Sequence, residues 1–257
     1  MNLAVATLCI GGGAAKFARY SHPTFRHYAA KVGADFVVIN SPKVRFAGPC
    51  SFNPLLFEKY QLADLLERYD RVLYLDTDVL VTPHAPDVFD EVPFDRVGGV
   101  FEDFGMDEDD RRARIRACQE DLGDVGWREG FVNSGVLVVS SVHKAAFTCW
   151  KELGVHDSKY EQTCTNWYIR ACGFEVHPLD HRFNYMGISR VYFGPPHRKA
   201  YFIHYAGGGI FPWIPRERQI REDYEYFYGR LPGDEPLDEL LVPNEAMDDD
   251  WFEGDEE

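Results

Sequence analysis

The sequence predicts an α/β protein with a mostly parallel central sheet flanked by helices. Three observations carry that expectation. Short runs of Val, Leu, Ile and Tyr, of the length of buried strands, alternate with longer segments of helical patterning. The run Arg71-Val72-Leu73-Tyr74-Leu75 ends abruptly at Asp76-Thr77-Asp78, and a second run, Val79-Leu80-Val81, follows at once. Two carboxylates therefore stand at the carboxyl end of an interior strand, where open α/β sheets form their ligand crevice. Finally, 257 residues with 45% hydrophobic and 27% charged content suit one large folded domain. Residues 1–232 are assigned to that domain and residues 233–257 to an acidic C-terminal tail.

Residues 3–10 read as the first strand, and Gly11-Gly12-Gly13 as the loop after it. That loop has neither dinucleotide-fingerprint nor P-loop spacing, so it names no nucleotide. Residues 14–32 are patterned as a helix, with Pro23 marking a break or a fresh start. Residues 36–39 form a second strand, and strand, helix, strand in this order predicts parallel pairing. Residues 41–54 read as loop and residues 55–69 as a helix with a broad apolar face. Past the two acids, residues 97–101 form a strand ending at Glu102-Asp103.

Residues 104–126 mix acids with arginines. They predict a solvated helix laced by intrahelical ion pairs, or alternatively a mobile flap over the crevice. Asn133-Ser134 then opens a strand over residues 130–139. Residues 144–153 and 160–172 are patterned as helices, 174–176 as a short strand and 179–185 as a loop. A last strand over residues 201–205 carries His204 and runs into Gly207-Gly208-Gly209, and Phe211-Pro212-Trp213 is expected to close the folded part.

The net charge of −15 argues against nucleic acid as a partner, because no basic field exists to displace counterions. No Lys or Arg follows Arg230, so the tail reads as solvated. The six cysteines form no C-x-x-C pair, no signal-peptide pattern opens the chain, and no run is long enough to span a bilayer. These features predict a cytoplasmic protein with free thiols and no integral membrane segment.

Side chains alternate along an extended chain, so Asp76 and Asp78 are expected to point the same way. Two like charges that close repel, and a hard divalent cation such as Mn²⁺ or Mg²⁺ relieves the repulsion with oxygen ligands. A lone Asp-x-Asp is also common in solvated turns, but apolar runs on both sides argue for a buried site. Asp103 and the amide and hydroxyl of Asn133 and Ser134 are candidate polar ligand contacts at strand ends. Gly207 and Gly208 would let the backbone approach phosphate oxygens.

At this point several blocks fall in the order of one family. The chain resembles the GT-A glycosyltransferases, most closely the glycogenin and lipopolysaccharide galactosyltransferase group, glycosyltransferase family eight. The resemblance covers roughly residues 3–213. It rests on Lys59 ahead of the Asp76-Thr77-Asp78 strand, on Asn133-Ser134-Gly135, on Glu161-Gln162-Thr163-Cys164-Thr165-Asn166, on Arg182-Phe183-Asn184-Tyr185, and on His204 through Pro212-Trp213. Glu161 and Thr163 stand where the family has Asp, and Phe211 stands at the place of its phosphate-binding Lys in a closing motif one residue longer. Arg216, Arg198 and Lys199 are nearby alternative cations.

The resemblance implies the GT-A fold and a metal-dependent transfer of a sugar from a nucleotide-diphosphate sugar, a UDP-sugar, to a hydroxyl of a carbohydrate or glycan acceptor, with retention. It implies a metal held by Asp76, Asp78 and His204, and a mixed carboxylate and imidazole set favours Mn²⁺ over Mg²⁺. Donor contacts are expected from Thr7, Lys59, Asp76, Thr77, Asn133, Ser134, Gly207 and Gly208. Catalytic roles are expected for Glu161, Gln162 and Asp103. No more than one of Trp127, Trp167 and Trp213 is expected to be an acceptor platform, since most buried tryptophans are plain core.

Two other readings compete. A haloacid-dehalogenase-type phosphatase also has an apolar strand before Asp-x-Asp, and Gly233-Asp234 to Asp238 fits its second motif literally, though without a preceding strand. A catalytically inactive nucleotide-sugar binder on the same fold is the other, because fold does not fix function.

Overall fold

The computed structural model describes residues 1–44, 53–148, 161–194 and 196–231. In chain order the elements are β1 (Leu3–Leu8), α1 (Gly12–Val32), β2 (Asp35–Ile39), α2 (Leu62–Leu65), β3 (Arg71–Leu75), β4 (Val79–Val81), α3 (Val88–Glu91), β5 (Val97–Phe101) and α4 (Glu108–Leu122). They continue with β6 (Val132–Ser140), α5 (Glu161–Ala171), β7 (Val176–Pro178), α6 (Gly187–Phe193), β8 (Phe202–His204) and α7 (Arg216–Tyr228). A six-stranded sheet has the order β2-β1-β3-β6-β5-β7, and β4 and β8 form a separate two-stranded sheet. Only β6 runs against the other five strands of the large sheet: it is antiparallel to both β3 and β5, and the remaining pairs are parallel.

Strand periodicity sorts the core into two faces. Val5, Leu73, Leu75, Val136 and Val138 pack with Phe25 and Tyr28 of α1 and with Phe89 of α3. Ala4, Ala6, Val72, Tyr74, Leu137 and Val139 pack with Phe57, Tyr60, Ile115, Trp167 and Tyr168. Cover on both faces is why the central strands read as unbroken apolar runs. A third cluster joins the small sheet, through Leu80 and Ile203, to Ile220 and Tyr224 of α7 and Tyr20 of α1.

Four expectations change. The helix over α1 passes through Pro23 without a break. An interior proline costs about 3 kcal/mol, and the buried face of Tyr20, Thr24, Phe25 and Tyr28 offsets it. There the Thr24 hydroxyl donates to Ser21 O (2.7 Å) and accepts from Val81 N (3.2 Å). The helix expected at 55–69 is instead a 3₁₀ segment, Pro54–Gln61, followed by the single turn α2. Phe57 through Gln61 are all buried, so this stretch has no solvent face for an amphipathic helix to present. Where a helix was expected at 144–153 the chain is 3₁₀ over Ser141–Phe147, Thr148 is a turn, and residues 149–153 lie outside the described residues. The folded part does not close at Trp213: α7 follows, its buried Ile220 and Tyr224 hidden among charged neighbours in the sequence.

The arginine-rich stretch forms α4, with the expected i,i+4 pairs Arg112–Glu108 (2.8 Å) and Arg114–Asp110 (2.9 Å). Ile115 and Cys118 bury its inner face in the core, so it is a docked helix and not a free flap. Among the described residues no helix is long and apolar enough to cross a membrane. The acidic tail at 233–257 lies outside the described residues.

Candidate active site and metal centre

The reversal of β6 builds the site. Because β6 is antiparallel to β3, its beginning meets the end of β3: Leu75 pairs with Val136, and Asp76 N donates to Gly135 O (2.8 Å). Its other neighbour, β5, pairs Phe101 with Val132 and so delivers Glu102 to the same place. The small sheet supplies the histidine, since Val79 pairs with His204 and Val79 follows Asp78 directly. The 76–78 segment is a turn and not an extended strand, so the two acids converge by turn geometry and not by strand alternation.

Asp76, Asp78 and His204 each offer one ligand atom, and all three atoms lie within 4.8 Å of one another. His204 Nε2 is 3.2 Å from Asp78 Oδ1 and 3.9 Å from Asp76 Oδ2. His204 Nδ1 is 2.8 Å from Asn184 Oδ1. An amide oxygen only accepts, so Nδ1 carries a proton, and Nε2 is the nitrogen that faces the acids and that, once deprotonated, would offer its lone pair to a cation. Asp76 is oriented in the same way: Tyr74 donates its hydroxyl to Asp76 Oδ1 (2.7 Å), leaving Oδ2 toward His204. Gly135 explains why a glycine stands here, since a β-carbon would overlap His204 Cε1 and lie 2.7 Å from Asp76 Oδ2. Two carboxylates and an imidazole nitrogen with a fixed tautomer suit a divalent cation.

The electrostatics agree. Burial alone would push the Asp78 carboxyl up, but the charges of His204 and Arg216 win and hold it below the usual carboxylate range. Burial would lower the His204 pKa, and Asp78, helped by Asp76, reverses that and raises it. Asn184→Ala is expected to weaken divalent-metal binding about 10- to 100-fold by freeing the imidazole. Calorimetry with the metal alone checks this, and unchanged affinity would separate Asn184 from the metal.

Beside the acids lies a buried ionic cluster. Lys59 is only 2% exposed. Its ammonium donates to Ser134 O (3.1 Å), Ser134 Oγ (2.9 Å) and Glu161 Oε2 (3.0 Å), and lies 3.6 Å from Asp76 Oδ1. Burial pushes its pKa down, but Asp76 and Glu161 more than compensate and the net shift is upward, so the charge persists. Glu161 is fully engaged, its other oxygen accepting from Thr165 Oγ1 (2.7 Å). Gln162 is half-buried, accepts from Ser134 N (3.0 Å) and donates to Glu102 Oε1 (2.7 Å). Glu102 also accepts from Asn133 Nδ2 (2.7 Å) and pairs with Arg111 (2.6 Å), which ties α4 to the crevice.

Other expected residues fall differently. Thr7 is fully buried within β1, paired with Leu75 and Val38, and has no surface to offer a donor. Thr77 donates its hydroxyl to Leu8 O and pins the acid turn to the end of β1. Asp103 accepts from Gly130 N (2.7 Å) and Phe131 N (2.8 Å), so it caps that loop, while Glu102 faces the cluster. Gly207 and Gly208 lie exposed in the turn after β8. Trp127 and Trp167 are core, and Trp213 is 69% exposed. Of the three alternative cations, Arg216 reaches Asp78 (3.1 Å) and Arg198 is held by Asp223 (2.7 Å). Tyr74, Glu102 and Asn184 were not singled out as site residues from sequence, although Asn184 lay within a quoted motif.

The chain matches the family model for glycosyl transferase family 8 over residues 34–215, more than half of its length. No curated protein sequence matches it. Among solved structures it is similar to the galactosyltransferase LgtC in complex with donor and acceptor sugar analogues, at 16% identity and a TM-score of 0.58, covering 91% of this chain and 98% of that one. It is also similar to a glycosyltransferase involved in glycosylation of the major capsid of PBCV-1, at 15% identity and a TM-score of 0.55, covering 87% and 98%. The bifunctional glycosyltransferase WbbM in its apo form gives 13% identity and a TM-score of 0.59, covering 89% of this chain and 50% of that one. These likenesses show the GT-A fold, and with the family match they remove the phosphatase reading. The chain belongs to glycosyl transferase family 8 and is a glycosyltransferase with a candidate Asp-Asp-His metal site.

Proposed function

We propose that this enzyme moves a sugar from a UDP-sugar to a hydroxyl of a carbohydrate or glycan acceptor, with Mn²⁺ held by Asp76, Asp78 and His204. The observation that carries the reading is the convergence of those three side chains, with Asn184 and Tyr74 fixing which atoms face inward. A bound divalent cation would supply charge to stabilise the departing diphosphate. The protein's own groups do the rest. Gln162, half-buried and anchored at both ends of its amide, would orient the donor sugar together with Asn133. Lys59 fixes Asp76 and Glu161 from within. Glu161 is buried and both its oxygens already accept hydrogen bonds, which counts against a base there and supports retention.

A thermal-shift comparison of nucleotide sugars with and without Mn²⁺ tests the reading. Stabilisation by a UDP-sugar and Mn²⁺ together, beyond either alone, is expected. If no nucleotide sugar shifts the melting temperature with Mn²⁺ present, the donor assignment falls. The sign of the pH effect is also fixed. Metal binding needs neutral His204, whose pKa stands above its ordinary 6.5. The charged His204–Asp78 pair stabilises the metal-free protein below that ordinary value and is lost as pH rises through the raised one. Metal affinity moves the other way, so the Mn²⁺-induced shift is expected to grow from about pH 6 to about pH 8. A flat or falling profile would count against ligation by His204.

A further inference from the structure

Arg216 opens α7, and its side chain reaches back to the candidate metal centre. Its Nη1 donates to Asp78 Oδ2 (3.1 Å) and to Tyr205 O (3.1 Å), and the guanidinium lies 4.9 Å from the ring centroid of Phe17. One-third of the side chain stays exposed. Asp78 therefore has Oδ1 against His204 and Oδ2 against a guanidinium. The two neighbours differ in kind. His204 can shed its proton, whereas a guanidinium keeps its charge at any working pH. It can leave Asp78 only by moving.

The helix that carries Arg216 is firmly held. Gln219 accepts from Ile210 N (2.8 Å) and Phe211 N (3.0 Å) and donates to Ile214 O (2.6 Å). Asp223, almost fully buried, takes hydrogen bonds from Arg198 (2.7 Å) and Tyr205 Oη (2.8 Å), and His197 Nε2 lies 2.9 Å away. These contacts fix the backbone at the start of α7 against the exit of β8, while the side chain beyond it is one-third exposed to solvent. Two other nearby cations lack this combination. Lys59 is buried, and Arg198 is committed to Asp223. Arg216 also lies one residue past the segment that matches the family model.

We propose that Arg216 is a placeholder charge. It neutralises Asp78 while the site is empty, yields that carboxylate to the cation, and turns its guanidinium to the phosphates of the donor. This rests on the metal and donor reading above. A permanent positive charge beside a ligand disfavours a cation binding alone, and the same charge favours an anionic diphosphate. Arg216 thereby couples the two: the metal loads well only when the phosphates arrive with it.

Calorimetry on the full chain separates this role from a structural one. The titrants are Mn²⁺ alone, UDP with saturating Mn²⁺, and uridine with saturating Mn²⁺. In Arg216→Ala, Mn²⁺ alone is expected to bind about fivefold tighter or better, and UDP about fivefold weaker or worse. Uridine is expected to be unchanged, and Arg216→Lys to fall between. A lost scaffold contact would weaken both ligands. Mn²⁺ binding that weakens or stays level in Arg216→Ala overturns the proposal, as does a loss for UDP no larger than for uridine. If the wild-type chain binds no Mn²⁺ even with UDP present, or Asp78→Ala binds it equally well, the metal reading itself fails and takes this inference with it.

Discussion

Asp78→Ala is expected to reduce Mn²⁺-dependent turnover of a UDP-sugar by roughly 10³-fold or more, with the melting temperature moving only a few degrees. The size follows from the several kcal/mol that a metal supplies to a developing anion, at tenfold in rate per about 1.4 kcal/mol. The small stability effect follows from position. Asp78 keeps 19% of its side chain exposed and Arg216 keeps 33%, so water can solvate the guanidinium that the substitution leaves behind. His204 retains Asn184 on its other nitrogen. Donor hydrolysis with and without Mn²⁺, beside a thermal melt, decides the matter, and near-normal metal-dependent turnover would remove Asp78 from the metal site.

Lys59→Met should act the other way, chiefly on stability. The ammonium is buried against Glu161 at 3.0 Å and Asp76 at 3.6 Å, with the Tyr74 ring centroid 4.9 Å away. Breaking a buried pair from one side costs about 3–5 kcal/mol, because the remaining charge has nothing to compensate it. For a chain of this size that is a fall of about 6–20 °C in melting temperature. Lys59→Met combined with Glu161→Gln should recover much of the loss, since the stranded carboxylate is then gone. A single variant that melts within about 2 °C of wild type would show that the cluster is more solvated than its packing indicates.

The acids, His204 and the Asn133-Ser134-Gly135 block were legible in sequence because each sits at a strand end marked by an abrupt change from apolar to polar residues. The direction of β6 was not legible. An apolar run reads alike in both directions, and only its register against Leu75 and Phe101 reveals the reversal that brings Gly135 to Asp76. The partners of Lys59, expected from sequence as a donor contact, were not legible, because Ser134 and Glu161 are remote in the chain. Thr7 shows the opposite error: its place in a buried parallel strand already argued against an open surface. The α7 helix was hidden by charge, since its two buried anchors, Ile220 and Tyr224, are spaced by one turn among acids and arginines.

The pairing of β4 with β8 has a further consequence, for how the molecule assembles. Asp78 and His204 come from distant parts of the chain and meet only when that short ladder zips. Pairings this remote in sequence form slowly, after loop closure has been overcome. A partly collapsed chain holds the acids with no imidazole opposite them. An ion that gripped only the finished arrangement would draw the population toward it, and loading would then join the final act of folding.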